Sequence, residues 1–306
     1  KSKKWTAANV PDLKGQVILV TGGNSGLGFE AAKLFAAKEA EVIIASRSLE
    51  RGEQAKATIL ETSPKANLKV MQLDLSDLGS VRKFADAFLQ NYDQLHVLHN
   101  NAGIMMCPYE KTKDGFESQM GVNHLGHFAL TAHLLELLKK TPKSRVVNVS
   151  SLGHRRGKMN FDNLLFENGG YSATQAYFNS KLANLLFTYE LQRKFEAHGL
   201  DILSVAAHPG GSATNLARHL EKKWWFTLIK PLFWMLAQSA AIGTLPQVRA
   251  SVDADVKGGE YYGPRKMGEA RGYPILVDST DASKSLADAK KFWQRSEELT
   301  GIVYAF

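Results

Sequence analysis

A glycine-rich run, Thr21-Gly22-Gly23-Asn24-Ser25-Gly26-Leu27-Gly28, follows a short apolar stretch at residues 16–20 and opens a helical pattern at residues 27–38. Few folds satisfy all three parts. A strand that turns through glycines straight into a helix brings bare backbone and unbonded helix-terminal N–H groups to one point, with the positive end of the helix dipole behind them. That combination accepts the pyrophosphate of a dinucleotide, with Gly22, Asn24, Ser25, Gly26, Leu27 and Gly28 as the candidate contacts. The run alone is a weak signal, and a second one strengthens it. In Tyr177-Phe178-Asn179-Ser180-Lys181 the phenol and the amine stand at i and i+4 of a helical stretch, on one face and within reach of each other.

Strand and helix patterns alternate along the rest of the chain. Apolar strands are predicted at 41–46, 68–74, 95–99, 145–150 and 201–206, and helices at 49–61, after Ser76 as N-cap, at 121–139 and at 176–198. The strands run into Asp74-Leu75, Asn100-Asn101-Ala102-Gly103, Ser150-Ser151 and His208-Pro209-Gly210. Continuous apolar strands alternating with helices predict an α/β fold: a single-domain Rossmann-type, doubly wound parallel sheet with helices on both faces. Ligands in such sheets bind beyond the carboxyl ends of the strands, where these motifs sit. At 306 residues and 44% hydrophobic content one large core is possible, and no linker tract or repeat divides the chain, so residues 1–306 read as one domain.

Composition removes several functions. Cys107 is the only cysteine and the nine histidines show no metal-ligand spacing, which excludes a disulfide framework and a familiar metal site. His208 reads as a cleft-wall residue. The net charge of +8 gathers only at Lys1, Lys3 and Lys4 and at Arg155, Arg156 and Lys158, without the interleaved aromatics of a nucleic-acid platform. No run reaches the ~18 apolar residues of a membrane span and no signal-peptide core is present, which reads as cytoplasmic. An anchor or targeting segment would have to lie upstream of Lys1.

The glycine loop at 21–28, Asp74-Leu75, Asn100 to Gly103, Tyr177 to Lys181, and Pro209-Gly210 with Thr214 follow one another as in the short-chain dehydrogenase/reductase family, which residues 12–265 resemble. The long connection from Ser151 to Tyr177 and Ser180-Lys181-Leu182-Ala183-Asn184 are similar to the branch of retinol dehydrogenases and related carbonyl reductases. The resemblance implies hydride transfer between a nicotinamide and a carbonyl or alcohol. Such a transfer builds charge on oxygen, so the site needs an acid and a polarising donor. Tyr177 is the expected acid, with Lys181 lowering its pKa and holding the ribose. Ser151 is the expected donor, with Ser150 as competitor, and Asn123 resembles the asparagine that kinks its helix and anchors a relay water. Asp74 with Leu75 would receive the adenine, Asn101, Ala102 and Gly103 the adenosine, and Thr214, beyond Pro209 and Gly210, the carboxamide. The second strand ends Ala45-Ser46-Arg47-Ser48, with no carboxylate for ribose hydroxyls, and Ser46, Arg47 and Asn24 offer donors to a 2′-phosphate, so the cofactor expected is NADP(H).

Residues 212–240 stand where the family places its substrate lid, and 224–237 hold three of the five tryptophans. Three readings stay open for that stretch: a lid over an apolar pocket, an interfacial membrane helix for peripheral contact, or a subunit contact. The expected activity is reversible reduction of a lipophilic aldehyde or ketone. A carbon–carbon double-bond reductase, of the protochlorophyllide reductase kind, and a non-catalytic NADPH-binding interaction protein are the alternatives. A homodimer through helices at 104–140 and 176–198 is expected from the family, subject to the C-terminal extension at 265–306.

Overall fold

The computed structural model describes residues 4–211 and 238–306. Thr214, the lid stretch up to residue 237 and the aromatic segment 224–237 lie outside the described residues. Eight strands form one sheet: β1 Val17–Thr21, β2 Glu41–Ser46, β3 Asn67–Gln72, β4 Val97–Asn100, β5 Ser144–Val149, β6 Ile202–Ala207, β7 Tyr261–Lys266 and β8 Arg271–Leu276. Their order is β3-β2-β1-β4-β5-β6-β7-β8. The chain winds outward from β1 to β3, then returns to the other side of β1 with β4, and that reversal opens a crevice above the ends of β1 and β4. Pairing is parallel from β3 through to β7.

Side chains alternate across the strands, so each buried strand supplies two cores. Leu19, Ile43, Leu98 and Val146 point to one face, under α3 Leu78–Asn91, α5 Gly126–His133, α6 Leu135–Lys140 and α7 Ala173–Ala197. Ile18, Val20, Val42, Ile44 and Val147 point to the other. There they meet α1 Gly26–Ala36 and α2 Leu49–Thr62 through Phe35 and Ile59, and the helix Leu245–Val252 through Leu245 and Val248. Double-sided burial is why these strands read as unbroken apolar runs.

Three expectations are corrected. The helix after β3 is capped by Asp77, whose Oδ1 accepts from Gly79 and Ser80, and Ser76 instead bonds back to Asp74. The expected long helix at 121–139 begins earlier, as the single turn α4 Ser118–Met120, and is wide at Gly121–Leu125, where the Gly126 N–H reaches back five residues to the Gly121 carbonyl. It breaks again at Leu134. The third concerns the sheet, which carries the strands β7 and β8 that no sequence pattern announced, β8 running antiparallel to β7. Gly263, Pro264, Gly272 and Pro274 suppress their strand signal. Only Tyr261 and Tyr262 pair with β6, so Pro264 lies beyond that pairing and faces Pro274 across the hairpin.

The C-terminal residues complete the first core. The helix Leu286–Thr300 lays Trp293 against Phe187 at 5.8 Å and Phe128 at 5.2 Å between ring centroids, and the Tyr304 hydroxyl donates to the Phe128 carbonyl at 2.7 Å. These aromatics cover the two helices through which a subunit contact was expected, so such a contact would use their other faces. Trp293→Ala is expected to lower the unfolding free energy by about 3–5 kcal/mol in urea titrations. A loss below about 1 kcal/mol would make this helix an appendage rather than core.

Candidate active site

The crevice has a volume of about 410 Å³. Its floor is built by Thr21, the last residue of β1, whose Oγ1 accepts from the N–H groups of Asn101 at 2.9 Å and Ala102 at 3.0 Å. Asn101 Nδ2 returns a bond to the Thr21 carbonyl at 2.9 Å. The glycine turn and the Asn101 loop are thereby clamped together. Gly28 closes the clamp, because a methyl group there would come within 2.4 Å of Asn101 Nδ2 and 2.5 Å of the Gly22 oxygen. Ser25 makes no side-chain cap bond at the start of α1, which leaves first-turn N–H groups for an oxyanion. From the far side, Thr244 Oγ1 donates to the Leu27 carbonyl and Gln247 Nε2 to Asn101 Oδ1. Thr244 and Gln247 stand over two hundred residues from the glycine loop and carry no local signal.

Among the described residues, those expected on the cofactor side line this crevice, with the exceptions of Ser46 and Gly210. Arg47 is exposed at its rim and Asp74 stands further along its wall, its Oδ1 bound by the Ser76 N–H and hydroxyl. The Ser46 hydroxyl is buried and donates to the Ser48 carbonyl at 2.9 Å, so it is turned away from a 2′-phosphate. Gly210 lies behind Pro209, its N–H bonded to His208 Nδ1. Residues 110–113 also line the crevice, a strap the sequence did not indicate.

Tyr177 and Lys181 rise from α7 at the inner end, both buried. The Ser151 hydroxyl stands beside the phenol, where it favours the ionised form, and accepts from the Gly153 N–H at 3.1 Å. Ser150 does something else: its hydroxyl donates to the Lys181 carbonyl at 2.8 Å, fixing β5 to α7. Burial pushes the Tyr177 phenol above its usual value, with the Ser151 hydroxyl pulling the other way, and burial draws Lys181 down to about 8. The phenol's pKa is therefore not lowered overall, because burial outweighs the neighbouring Lys181 cation. Its Nζ donates to the Val149 carbonyl at 3.0 Å and stands 5.8 Å from the phenol ring centre, and removal of water dominates both groups.

Asn123 is fully buried beneath the crevice, in the wide turn. Its Oδ1 accepts from the Ile104 N–H at 2.8 Å, and its Nδ2 donates to the Ile104 carbonyl and to Ser180 Oγ. Its carbonyl faces His127 Nδ1 at 3.1 Å. A carbonyl can only accept, so Nδ1 carries the hydrogen and Nε2 accepts from the Thr21 hydroxyl at 2.9 Å. Thr21 and His127 thus join the glycine loop to the wide turn. Burial holds His127 at about 4 and the neighbouring His99 and His124 at about 3. Their folded pKa values lie below the unfolded value, so the unfolded chain takes up protons first and stability is lost as pH falls from about 6.5 towards 4. The expected slope is on the order of 1 kcal/mol per pH unit per histidine, read by urea unfolding at pH 7 and pH 5. Equal stability at the two pH values would contradict neutral burial.

Among the described residues no group of three or more His, Cys, Asp or Glu could hold a metal ion, and no helix is long and apolar enough to cross a membrane. The short chain dehydrogenase family model matches residues 16–224. The chain belongs to the short-chain dehydrogenase/reductase family. It is an oxidoreductase with the Rossmann-type nucleotide-binding fold of that family, whose members use nicotinamide cofactors. Human retinol dehydrogenase 11 is 50% identical over 216 residues, 70% of this chain and 67% of that protein, which places the chain on the retinol-dehydrogenase-like branch. Human retinol dehydrogenase 12 is 40% identical over 292 residues, 95% of this chain and 88% of the other. A crystal structure from Mycobacterium paratuberculosis, 40% identical, superposes with a TM-score of 0.84 over 99% of this chain and 100% of that one. A short chain dehydrogenase from Shigella flexneri complexed with NADP is 25% identical, with a TM-score of 0.63 over 82% and 97% of the two chains.

Proposed function

We propose that this short-chain dehydrogenase/reductase reversibly reduces a lipophilic aldehyde or ketone with NADPH, Tyr177 acting as acid, Ser151 as polarising donor and Lys181 as the cation beside them. The observation that carries this reading is the buried Tyr177–Lys181 pair, with Ser151 beside the phenol, at the inner end of a crevice whose outer end is a glycine turn and a bare helix terminus. NADPH supplies, when bound, the hydride that reaches the carbonyl carbon. Negative charge then grows on the substrate oxygen. Ser151 donates a hydrogen bond to that oxygen and Tyr177 releases the proton of its hydroxyl to it. Burial favours the neutral phenol, so the proton is in place at neutral pH. The phenolate left behind is steadied by Lys181 one turn along α7, and the same groups run the reverse reaction. Asn123 braces Ile104 and Ser180 beneath them and is the support for a proton relay to Lys181.

The crevice fits a dinucleotide along its length. The glycine turn would take the pyrophosphate, Asp74, Leu75 and Asn101 to Gly103 the adenosine, and Tyr177, Lys181 and Pro209 the nicotinamide end, with Thr214 and Gly210 close to it in sequence. Arg47, exposed at the end of β2 where no carboxylate stands, supports a 2′-phosphate and hence NADP(H), as does the NADP complex of the Shigella relative. The names of the retinol dehydrogenases and the aromatic stretch 224–237 support a lipophilic substrate. That stretch is also the candidate for contact with a membrane surface.

Tyr177→Phe is expected to cut NADPH turnover with a panel of aldehydes by about 10²-fold or more while cofactor binding, read by fluorescence, persists. Ser151→Ala is expected to lower turnover as well, whereas Ser150→Ala should leave turnover in place and cost about 1 kcal/mol of stability. Equal rates in wild type and Tyr177→Phe would sink this mechanism. Arg47→Ala is expected to weaken NADPH about tenfold or more and NADH hardly at all in parallel titrations, and equal losses for both would refute the cofactor assignment.

A further inference from the structure

Two turns flank the inner end of the crevice, and neither is part of a strand or a long helix. One follows Ser151 and spans Leu152–Arg156. The other, His208-Pro209-Gly210, follows β6, and Pro209 lines the crevice. Tyr261 packs between them, its ring 5.6 Å from that of His154 and 5.2 Å from that of His208, and one carboxylate, beyond the part of the chain that the family model matches, bonds to both. Glu269, in the connection between β7 and β8, accepts from His208 Nε2 through Oε2 at 3.1 Å and from Arg155 Nη2 through Oε1 at 2.8 Å.

The hydrogen-bond chemistry leaves one assignment for these groups. His208 Nδ1 accepts the Gly210 N–H at 3.2 Å, so the hydrogen sits on Nε2 and points at the carboxylate. On the other side, the N–H and Nδ1 of His154 both reach the Ser151 carbonyl, at 3.0 and 2.7 Å, and Arg155 is the next residue. The connection itself is pressed against the second turn. The Gly211 N–H donates to the Ala270 carbonyl at 2.8 Å, and a methyl group on Gly210 would come within 2.5 Å of the same oxygen. Met267 and Glu269 both have left-handed backbones, φ 54° and 67°, yet Met267 is 62% exposed while the Glu269 carboxylate is turned inward to its two partners.

We propose that Glu269 is a positioning residue for the oxidoreductase site: by joining Arg155 to His208 it sets the distance between the Ser151 hydroxyl and the Pro209 wall of the crevice. The inference rests on the functional reading above, since it gives those two turns their meaning. A carboxylate serves here because two donors approach it from two sides. Glutamine has the same shape but a single acceptor oxygen, so one of the two donors would face its NH2 group. Asp keeps two acceptor oxygens on a shorter stem.

The test compares the full-length wild type with Glu269→Gln and Glu269→Asp. Amide hydrogen exchange, measured without substrate, is expected to quicken in Glu269→Gln at both turns, in residues 153–157 and 210–211, and nowhere in the glycine loop. Turnover of NADPH with an aliphatic aldehyde is expected to fall about tenfold in kcat with the KM for NADPH unchanged, because misplacing a reacting group costs rate rather than phosphate binding. Glu269→Asp should recover part of both effects. Wild-type exchange at the two turns in Glu269→Gln, or equal impairment in the Asp and Gln variants, overturns the proposal. If the wild type itself turns over no NADPH, the functional reading fails, and the exchange comparison alone still decides this one.

Discussion

The close approach of two strand-end loops around the Thr21 hydroxyl is the contact on which the site depends. Thr21 Oγ1 takes two backbone N–H groups from the Asn101 loop and gives its own hydrogen to His127, so one buried hydroxyl has all its bonding capacity committed. An unpaired polar group at this depth would cost more than the bond itself gains. The glycine turn, the wide turn at Asn123 and the floor of the crevice are therefore coupled through a single atom. These bonds hold the floor of the crevice in place.

Desolvation sets the protonation of the groups at the inner end. Tyr177 and Lys181 are both pushed towards their neutral forms by burial, Lys181 to about 8 and the phenol upward. A mutual attraction of charges is not what holds them. The arrangement suits a group that must keep its proton until charge appears beside it, with an ammonium one helical turn away to receive the resulting phenolate. The serine pair divides the remaining work by direction: Ser151 turns to the phenol and Ser150 to the backbone of α7.

The C-terminal part of the chain belongs to both core and site. Trp293 and Tyr304 close the aromatic cluster around Phe128 and Phe187, while the β7–β8 hairpin brings Glu269 to the two turns beside Ser151 and Pro209. Residues 286–306 are packed into that core. The last two strands extend the sheet, and their edge carries proline on both members of the hairpin, where the missing N–H groups do least harm.

Much of the architecture was legible in the residues themselves. The buried strands are apolar on both faces, the glycine run has few other uses, and the i, i+4 spacing of Tyr177 and Lys181 fixes a shared helix face, so β1 to β6 and both helical layers followed from local pattern, while the other crevice residues were expected from the family resemblance. The linear order could not reveal what distant segments do to one another. β7 and β8 were hidden because Gly and Pro mask strands that only their neighbours stabilise. Ser46 looked like a donor until its hydroxyl turned to Ser48, and Lys181 looked like an acidifying charge until burial outweighed it. Thr244, Gln247, His127 and Glu269 acquire their partners only when the chain closes. Sequence determined the elements and the glycine turn and helix face that border the crevice, because those depend on periodicity and backbone geometry. Tertiary structure decided hydrogen-bond direction and protonation, because these depend on which groups exclude water together.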